Sequence, residues 1–382
     1  MEKKRKVVVA GHICVDITPV FPGKAAERIE RVLTPGKLVH MQGVDIHTGG
    51  AVANTGLAMK ILGNDVSLMG KIGDDELGRM VLNIMDGYHS SERMIMSEDS
   101  STSYSVVLAV PGIDRIFLHD PGANDTFSCK DLDWKEIARA DLFHFGYPSL
   151  MKTMYENGGQ ELLEMLRRVK DLGLVTSLDM AAIDPDSECA KEDWHHVLKR
   201  VLPYVDFFVP SAEELCFMLD RERYAEWKKR ASGCDMTEIL TMADICPLGK
   251  EALDLGVRAV LIKCGAPGMY YRTASEEKMR SLCERLELPL KFWAGKEGFE
   301  KSYRPAAVIS GTGAGDTSIA AFLSAVLRGE TLEETLHLAA ATGACCVAAY
   351  DALSGLRSLE ELKIKIRGGW EKLNADNFIS FV

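Results

Sequence analysis

The residues with the most chemical content lie late in the chain, where three small residues precede an acid. Gly313, Ala314 and Gly315 come directly before Asp316, and an apolar, Ala-rich pattern typical of a helix follows. Small residues let backbone approach a ligand closely, and the N–H groups that open a helix bind anions. A carboxylate beside such a site suits a base that takes a proton from a hydroxyl while the N–H groups stabilise a transferred phosphoryl group. The alternative is an ordinary Gly-rich loop whose aspartate only caps the helix.

Two segments near the start of the chain carry residues suited to a ligand with several hydroxyls. Residues 7–16 are typical of a buried strand that ends in a carboxylate, Asp16, which can accept hydrogen bonds from two neighbouring hydroxyls. A Gly-rich segment further on leads into a helical pattern. In that segment Gly49 and Gly50 allow main chain to press against a sugar ring, and Asn54 offers both a donor and an acceptor. An aspartate that merely ends a strand in a turn is the alternative for Asp16.

Together with the Gly-Ala-Gly-Asp segment, these two segments resemble the signatures of the ribokinase (PfkB) family of sugar kinases, and the resemblance covers residues 7–359. It implies an α/β fold of three layers, α/β/α and Rossmann-like, with a mostly parallel central sheet and a small β-strand lid. It also implies ATP-dependent phosphoryl transfer to a sugar hydroxyl, with Asp316 as the base. The residues that would contact the phosphoryl acceptor are Asp16, Gly49, Gly50, Asn54 and, after a predicted hairpin, Asn124.

The resemblance places the nucleotide beside later segments. Ser211 stands where the family has asparagine in an Asn-x-x-Glu motif, and Glu214 would organise Mg²⁺ near the phosphates as a hard oxygen ligand. A plain acid at a helix N-terminus is the alternative for Glu214. The segment from Lys263 to Gly268, which includes Gly265, resembles the family's turn beside the nucleotide phosphates or ribose.

Many members of the family also bind K⁺ through carbonyl groups that flank the Gly-Ala-Gly-Asp loop and a later turn. The corresponding residues here are Ser310, Thr312, Ala352 and Gly355, with Ser310 in place of the usual aspartate. We therefore expect ATP and Mg²⁺ as cofactors, and a modest activation by K⁺.

Apolar runs alternate with helical patterns along the chain, which predicts a parallel sheet covered on both faces. Predicted strands are 7–16, 66–70, 142–146, 175–179, 206–209 and 257–263, and predicted helices are 50–62, 77–85, 160–170, 194–202 and 212–219. We interpret residues 1–382 as one kinase domain, with a core of 1–16, 48–100 and 121–382. The lid comprises about 17–47 and 101–120, the latter as a hairpin. Segments 221–250 and 274–305 are charged and irregular, and we interpret them as surface elaborations without chemistry.

Composition fits a cytoplasmic enzyme. The 382 residues carry a net charge of −11, which disfavours nucleic acid as a partner, and no apolar stretch approaches the length of a membrane span. The ten cysteines lack C-x-x-C spacing and predict reduced thiols. Expected partners are a small sugar and ATP, and we also consider a homodimer formed through the lid.

Other functions were weighed against the sequence. The chain lacks the G-x-x-x-x-G-K-[ST] motif of P-loop kinases and the G-x-G-x-x-G motif of dinucleotide dehydrogenases. A catalytically silent sugar-binding or regulatory protein on the same fold stays open, as does a nucleoside kinase of the family. No Lys or Arg flanks Gly49 and Gly50, and Gly146 stands where some sugar-specific relatives carry an acid. The first feature favours a neutral ketose or pentose, as in fructokinase or ribokinase, over a sugar phosphate. The second feature enlarges or neutralises part of the pocket and disfavours ribose itself.

Overall fold

The computed structural model describes residues 5–23, 25–113 and 115–378, and its strands form one large sheet and two small ones. The strands of this described part are β1 (Lys6–Gly11), β2 (Cys14–Pro19), β3 (Val44–Gly49), β4 (Asp65–Met69), β5 (Lys71–Gly73), β6 (Ile95–Ser97), β7 (Tyr104–Leu108), β8 (Ile116–Asp120), β9 (Leu142–Gly146), β10 (Val175–Asp179), β11 (Phe207–Phe208), β12 (Ala259–Lys263), β13 (Gly268–Thr273) and β14 (Glu297–Lys301).

The helices lie on both faces of the large sheet. They are α1 (Ala51–Ile61), α2 (Glu76–Gly87), α3 (Trp134–Ile137), α4 (Lys152–Asp171), α5 (Trp194–Val201), α6 (Ala212–Leu219), α7 (Arg221–Ala231), α8 (Met242–Asp254), α9 (Glu276–Leu286), α10 (Leu290–Trp293), α11 (Ala314–Leu327), α12 (Leu332–Cys346) and α13 (Leu359–Arg367). Among the described residues, no helix combines the length and the apolar composition needed to cross a membrane.

The large sheet has the order β14-β13-β12-β11-β10-β9-β1-β4. In this order, the strands from β12 through β4 pair in parallel with their neighbours, whereas β13 and β14 add an antiparallel edge. Residues of β1 alternate between two cores: Val7 and Val9 pack with α1, α11 and α12, while Val8 and Ala10 pack with α4, α5 and α6. Burial on both faces explains why these strands are continuous apolar runs. The predicted three-layer α/β/α architecture is confirmed.

The second sheet has the order β3-β2-β7-β8 and lies next to the carboxyl end of β1. It contains the predicted hairpin as β7 and β8; Asp114 of the predicted turn lies outside the described residues. The predicted single strand 7–16 is wrong, because β1 ends at Gly11 and β2 belongs to the second sheet. Gly11 has a φ of +127°, and a Cβ there would lie 2.3 Å from the carbonyl oxygen of Gly146, so the chain turns at this glycine.

The other predicted strands and helices are present, with ends shifted by a few residues. The predicted helix 160–170 is the regular part of α4, which departs from helical geometry at residues 156–159. The interpretation of 221–250 and 274–305 as surface elaborations is wrong. Trp227 of α7 and Trp293 of α10 are fully buried, and β14 forms an edge of the large sheet. Charged outer faces concealed the apolar inner faces of these helices.

Candidate active site

The N-terminus of α11 places Asp316 at the carboxyl ends of the parallel strands, where open α/β sheets bind ligands. We call this region the cleft. The helix begins at Ala314 after Gly313, which has a φ of +74°; a Cβ on Gly313 would lie 2.2 Å from the Cβ of Ala352. Glycine is therefore required for the turn and for the close approach of the segment around Ala352. Asp316 is 5% exposed, and its charge is favoured by its position in the first turn of the helix. This position matches the sequence prediction.

Donors from two separate elements hold the Asp316 carboxylate. On α1, Asn54 donates through Nδ2 to Oδ2 at 3.1 Å, and Thr55 donates through Oγ1 to Oδ1 at 3.2 Å. The Tyr147 hydroxyl, just after β9, donates to Oδ1 at 2.7 Å. The sequence analysis anticipated Asn54 only as a contact for the acceptor. Neither Thr55 nor Tyr147 was assigned a role from the sequence: Thr55 directly follows Asn54 in the Gly-rich motif, whereas no motif marks Tyr147.

Asp16 lies on β2 and is half-buried on the side of the cleft where Asp316 lies. Burial raises the pKa of Asp16, while hydrogen bonds from Cys14 and Ser105 act in the opposite direction; the Cys14 Sγ lies 3.4 Å from Oδ1. A Cβ on Gly49 would lie 2.3 Å from Asp16 Oδ2. Gly50, with a φ of +86°, leaves similar room for the backbone and ring of His12. Both glycines thus make space first for the protein's own groups.

Asn124 does not face the cleft. Its side chain is fully buried, with Oδ1 accepting from the Ile13 N–H at 3.2 Å and Nδ2 donating to the Ile13 carbonyl at 2.9 Å and the Pro121 carbonyl at 3.2 Å. The expected contact of Asn124 with an acceptor is therefore wrong. Asn124 instead fixes the segment between β1 and β2, the segment that leads to Asp16.

His12, which was not anticipated from the sequence, belongs to the wall of the cleft between Asp16 and Tyr147. It is buried, and neither ring nitrogen has a hydrogen-bond partner in the described part of the chain. Burial, with a smaller contribution from His119, lowers the pKa of His12 to about 3, so the ring is neutral. Its centroid lies 5.2 Å from that of His119 and 6.0 Å from that of Tyr147. The wall between Asp16 and Tyr147 therefore carries no positive charge at His12.

A buried charge cluster lies on the other side of Asp316. Lys263 donates through Nζ to Asp179 Oδ1 at 2.7 Å, and Nζ lies 3.7 Å from the position that a Cβ on Gly315 would occupy. The lysine thus reaches the start of α11. Burial raises the pKa of Asp179 to about 8, despite the nearby Lys263 charge. Burial alone would lower the pKa of Lys263, but Asp179 and Glu214 outweigh it and raise that pKa. Sequence analysis missed Asp179.

Ser211 and Glu214 form a capping box at the start of α6. Ser211 Oγ accepts from the Glu214 N–H at 3.2 Å, and Glu214 Oε2 accepts from the Ser211 N–H at 2.7 Å. Burial raises the pKa of the Glu214 carboxyl, against the effect of Lys263. Glu214 therefore caps α6, as the alternative for this residue predicted, and it also lies close to the charge cluster of Asp179 and Lys263.

Gly265 and Gly268 form the turn between β12 and β13, with the Gly268 N–H donating to the Gly265 carbonyl at 3.2 Å. Their φ values are +65° and +140°, and a Cβ on either would collide with Thr237 or with the Glu300 carbonyl. The turn itself explains both glycines.

The segments around Thr312 and Ala352 meet at Cys346. The Cys346 Sγ lies 3.5 Å from the carbonyl oxygen of Thr312 and 3.6 Å from that of Ala352. Ser310 accepts from the Thr312 N–H through its hydroxyl, and Gly355 packs against the carbonyl of Cys345. In the described residues, no cluster of three or more His, Cys, Asp or Glu side chains could hold a metal by itself.

Comparison with known proteins identifies related sequences and folds. The sequence model of the pfkB family of carbohydrate kinases matches residues 4–358. An uncharacterised sugar kinase of Archaeoglobus fulgidus is 23% identical over 302 residues, which cover 78% of this chain and 98% of the relative. Fructokinase-2 of Oryza sativa subsp. japonica is 24% identical over 325 residues, 81% of each chain.

Solved structures share the fold. An Arabidopsis thaliana ribokinase complexed with ribose and ATP superposes with a TM-score of 0.67 at 19% identity, over 94% of this chain and 98% of that one. A putative ribokinase II from E. coli, in complex with ATP and Mg²⁺, gives the same TM-score and identity over 95% and 99%. The fold inferred from the sequence is thereby confirmed.

Proposed function

We propose that this chain, which belongs to the pfkB family of carbohydrate kinases, transfers the γ-phosphoryl group of ATP to a hydroxyl of a small neutral sugar. The observation that carries the proposal is the Asp316 carboxylate, fixed by Asn54, Thr55 and Tyr147 at the N-terminus of α11. A base and an anion site next to each other are what phosphoryl transfer from ATP to an alcohol requires.

In the proposed reaction, Asp16 and Asn54 hold the acceptor, with the Gly49-Gly50 backbone alongside. Asp316 takes the hydroxyl proton as the oxygen attacks phosphorus. N–H groups of the 313–315 segment, together with Lys263, would stabilise the phosphoryl group. Because the Ala314 N–H already lies 3.4 Å from the Gly311 carbonyl, the following N–H groups are better placed to donate.

The nucleotide and Mg²⁺ would occupy the side of Lys263 and Glu214. A half-buried carboxylate such as that of Glu214 suits Mg²⁺, which is commonly held by one or two protein oxygens, phosphate oxygens and water. Glu214 would hold the ion through its carboxylate, while Ser211 fixes that side chain; the ion neutralises phosphate charge when bound. Gly265 and Gly268 would keep the adjacent turn close to the phosphates or the ribose.

A neutral acceptor is favoured by the charges around Asp16. The relatives include fructokinases, and the solved neighbours include ribokinases. His12 is neutral and Asp16 would repel an anionic group, whereas the basic Arg115 reaches Thr312 on the phosphoryl side of the cleft. Turnover with sugars but not with nucleosides would separate this proposal from a nucleoside kinase, and any ADP release excludes a silent sugar-binding protein.

We also propose that residues 1–382 work as one kinase domain. The sheet of β2, β3, β7 and β8 would act as the lid that keeps water from the phosphoryl group. Its first strand begins at Cys14, so the lid starts earlier than the boundary at residue 17 expected from the sequence. All ten cysteines are free thiols, which fits a reducing compartment such as the cytoplasm.

Asp316→Asn tests the proposal directly. The amide keeps the shape but cannot accept the proton, so kcat should fall by at least about 100-fold, the lower range for a positioned base. KM values for ATP and sugar should change little, and the melting temperature should hold. Steady-state kinetics with coupled ADP detection on a panel of sugars, sugar acids, polyols and nucleosides provides the measurement.

Asp193→Ala serves as the matched control, because Asp193 only caps α5 by accepting from the His196 N–H at 3.0 Å. It should lower stability by about 1 kcal/mol and leave kcat unchanged. If Asp316→Asn behaved like this control, with a lower melting temperature and normal kcat, the kinase mechanism would be rejected.

Asp16→Ala should raise KM for the sugar by about 100-fold or more, since two hydrogen bonds to a charged group, each worth about 1.5–3 kcal/mol, are lost. ATP-analogue binding by calorimetry should stay near wild type. Asp65→Ala removes an exposed carboxylate at the amino end of β4, the opposite end of the large sheet from the site, and should leave KM unchanged. An unaltered sugar KM in the Asp16 variant would make Asp16 structural.

Lowering the pH should weaken sugar binding, as the Asp16→Ala substitution does. The ionised carboxylate accepts the hydroxyls, and burial raises the pKa of Asp16. Binding is therefore retained above that pKa and lost as the pH falls through it, beginning at a higher pH than for an ordinary aspartate. Sugar affinity measured by calorimetry against pH should show this loss in the wild type and not in Asp16→Asn.

We expect K⁺ to activate modestly. The carbonyls of Thr312 and Ala352 converge, but the Cys346 thiol already lies between them and competes for the same space. Rates in KCl should therefore exceed those in tetramethylammonium chloride only slightly, and Cys346→Ala should enlarge the difference. Equal rates in both salts for both proteins would remove the proposed K⁺ site at Ser310, Thr312, Ala352 and Gly355.

A second copy of the chain is proposed to cover the outer face of the lid. Asp16 faces the cleft, so alternation along paired strands puts Val44 and Ile46 of β3, and Ile116 and Leu118 of β8, on the opposite face. Val44 and Leu118 are 52% and 53% exposed. Light scattering should give a dimer that Val44→Asp with Leu118→Asp converts to a monomer. Leu172→Asp, an exposed site on another surface, should not change the mass; a monomeric wild type would contradict the proposal.

A further inference from the structure

Tyr147 adopts a backbone conformation that tyrosine rarely occupies. It follows β9 with φ +69° and ψ +41°, in the left-handed region that is strained for any residue other than glycine. Its N–H donates to the Asp179 carbonyl at 3.1 Å, and Pro148 follows at once. Such strain is found where the surrounding structure over-determines a residue, often at functional sites.

The strained turn delivers the Tyr147 hydroxyl to one oxygen of Asp316. Oδ1 accepts from Tyr147 at 2.7 Å and from Thr55 at 3.2 Å, and the Thr55 hydroxyl also lies 3.5 Å from the Asp316 main-chain carbonyl. Among the described residues, Oδ2 accepts only from Asn54, at 3.1 Å. A carboxylate oxygen has two acceptor positions. The two donors on Oδ1 fill both of its positions, and Oδ2 keeps one open.

We propose that Tyr147 is a positioning residue for Asp316: with Thr55 it saturates Oδ1 and so makes Oδ2 the oxygen that receives the acceptor's proton. The inference rests on the proposed function. The sugar O–H bond breaks and its proton moves to Oδ2, while the sugar oxygen forms a bond to the γ-phosphorus. The bond from that phosphorus to the bridging oxygen breaks, and ADP leaves with the electron pair.

Two further features fit this role. Burial, reinforced by the Asp316 charge, raises the pKa of Tyr147 well above its usual range, so the hydroxyl stays a donor. The ring also packs near His12, with 6.0 Å between centroids, so the side chain is held by contacts that do not involve its hydroxyl. Tyr147→Phe therefore removes the hydrogen bond and keeps the ring.

The expected effect of Tyr147→Phe is a fall in kcat of about ten- to a hundredfold, because a carboxylate freed at Oδ1 spends less time in the reactive orientation. KM for ATP should stay within about twofold, since the nucleotide side is untouched. A purely structural tyrosine would instead lower the melting temperature and leave kcat as it was.

The matched control is Tyr270→Phe. Tyr270 is a fully buried tyrosine whose hydroxyl donates to a carboxylate, Glu297 Oε1, at 2.8 Å, on the edge of the large sheet. The same bond type is lost there, so stability should fall while kcat is retained. If Tyr147→Phe gave the pattern of Tyr270→Phe, the proposal would be overturned.

A double-mutant cycle decides whether Tyr147 acts through Asp316. Single-turnover rates with labelled ATP and D-fructose are measured for wild type, Tyr147→Phe, Asp316→Asn and the double variant. We expect Tyr147→Phe to slow the wild-type background and to have no effect in the Asp316→Asn background. An equal fold-change in both backgrounds, or none in either, overturns the inference.

Thr55→Val covers the case in which Tyr147→Phe does not fold, because it removes the other donor to Oδ1. Thr55→Val should also lower kcat, and it should have no effect in the Asp316→Asn background. An effect retained in that background would contradict the proposal that Tyr147 and Thr55 together saturate Oδ1. Wild-type turnover in the same assay distinguishes a failure of this inference from a failure of the proposed function. Activity on D-fructose with a silent Tyr147→Phe rejects this inference alone, whereas wild-type inactivity on every sugar rejects the proposed function and this inference with it.

Discussion

One constraint governs the centre of this structure: the carboxylate of Asp316 is buried at the N-terminus of α11 and needs hydrogen-bond donors in place of water. Removing a carboxylate from water is costly unless donors replace the solvent. Asn54 and Thr55 on α1 and Tyr147 after β9 supply those donors, and they lie 169 to 262 residues before Asp316 in the chain. The packing of α1 against α11, and the pairing of β1 with β9, are what bring them together.

The same cleft concentrates further negative charge. Asp16, Asp179 and Glu214 all have raised pKa values because they are buried, and each also lies in the field of Asp316. Lys263 is the cation of this cluster, paired with Asp179. Carboxylates crowded beside one lysine and a helix N-terminus make poor stabilising elements, since their mutual repulsion opposes burial. Their crowding fits the proposal that Mg²⁺ and the nucleotide phosphates bind beside them.

The sequence was informative where function depends on adjacent residues and much less so where it depends on the sheet order. Asp316 and its glycines, or Asp16 at the end of an apolar run, stand in local patterns that can be recognised without a structure. Tyr147 follows β9 and Asp179 ends the neighbouring strand β10, and the two residues come together only because the ends of these strands are adjacent in the sheet. The buried Trp227 and Trp293 were hidden for a related reason: average composition over a charged segment conceals the apolar face of a helix.

The glycines of the motifs acquire a different meaning in the folded chain. A Cβ on Gly49 would strike the Asp16 carboxylate, and one on Gly313 would strike Ala352. Protein atoms occupy the space that these glycines leave open, so their first role is to let charged and catalytic groups come close to backbone. Glycine motifs of this kind therefore report on the packing of a site before they report on its ligand. In the proposed reaction, the specific chemistry belongs to the carboxylates and to the donors that decide which carboxylate oxygen is left open.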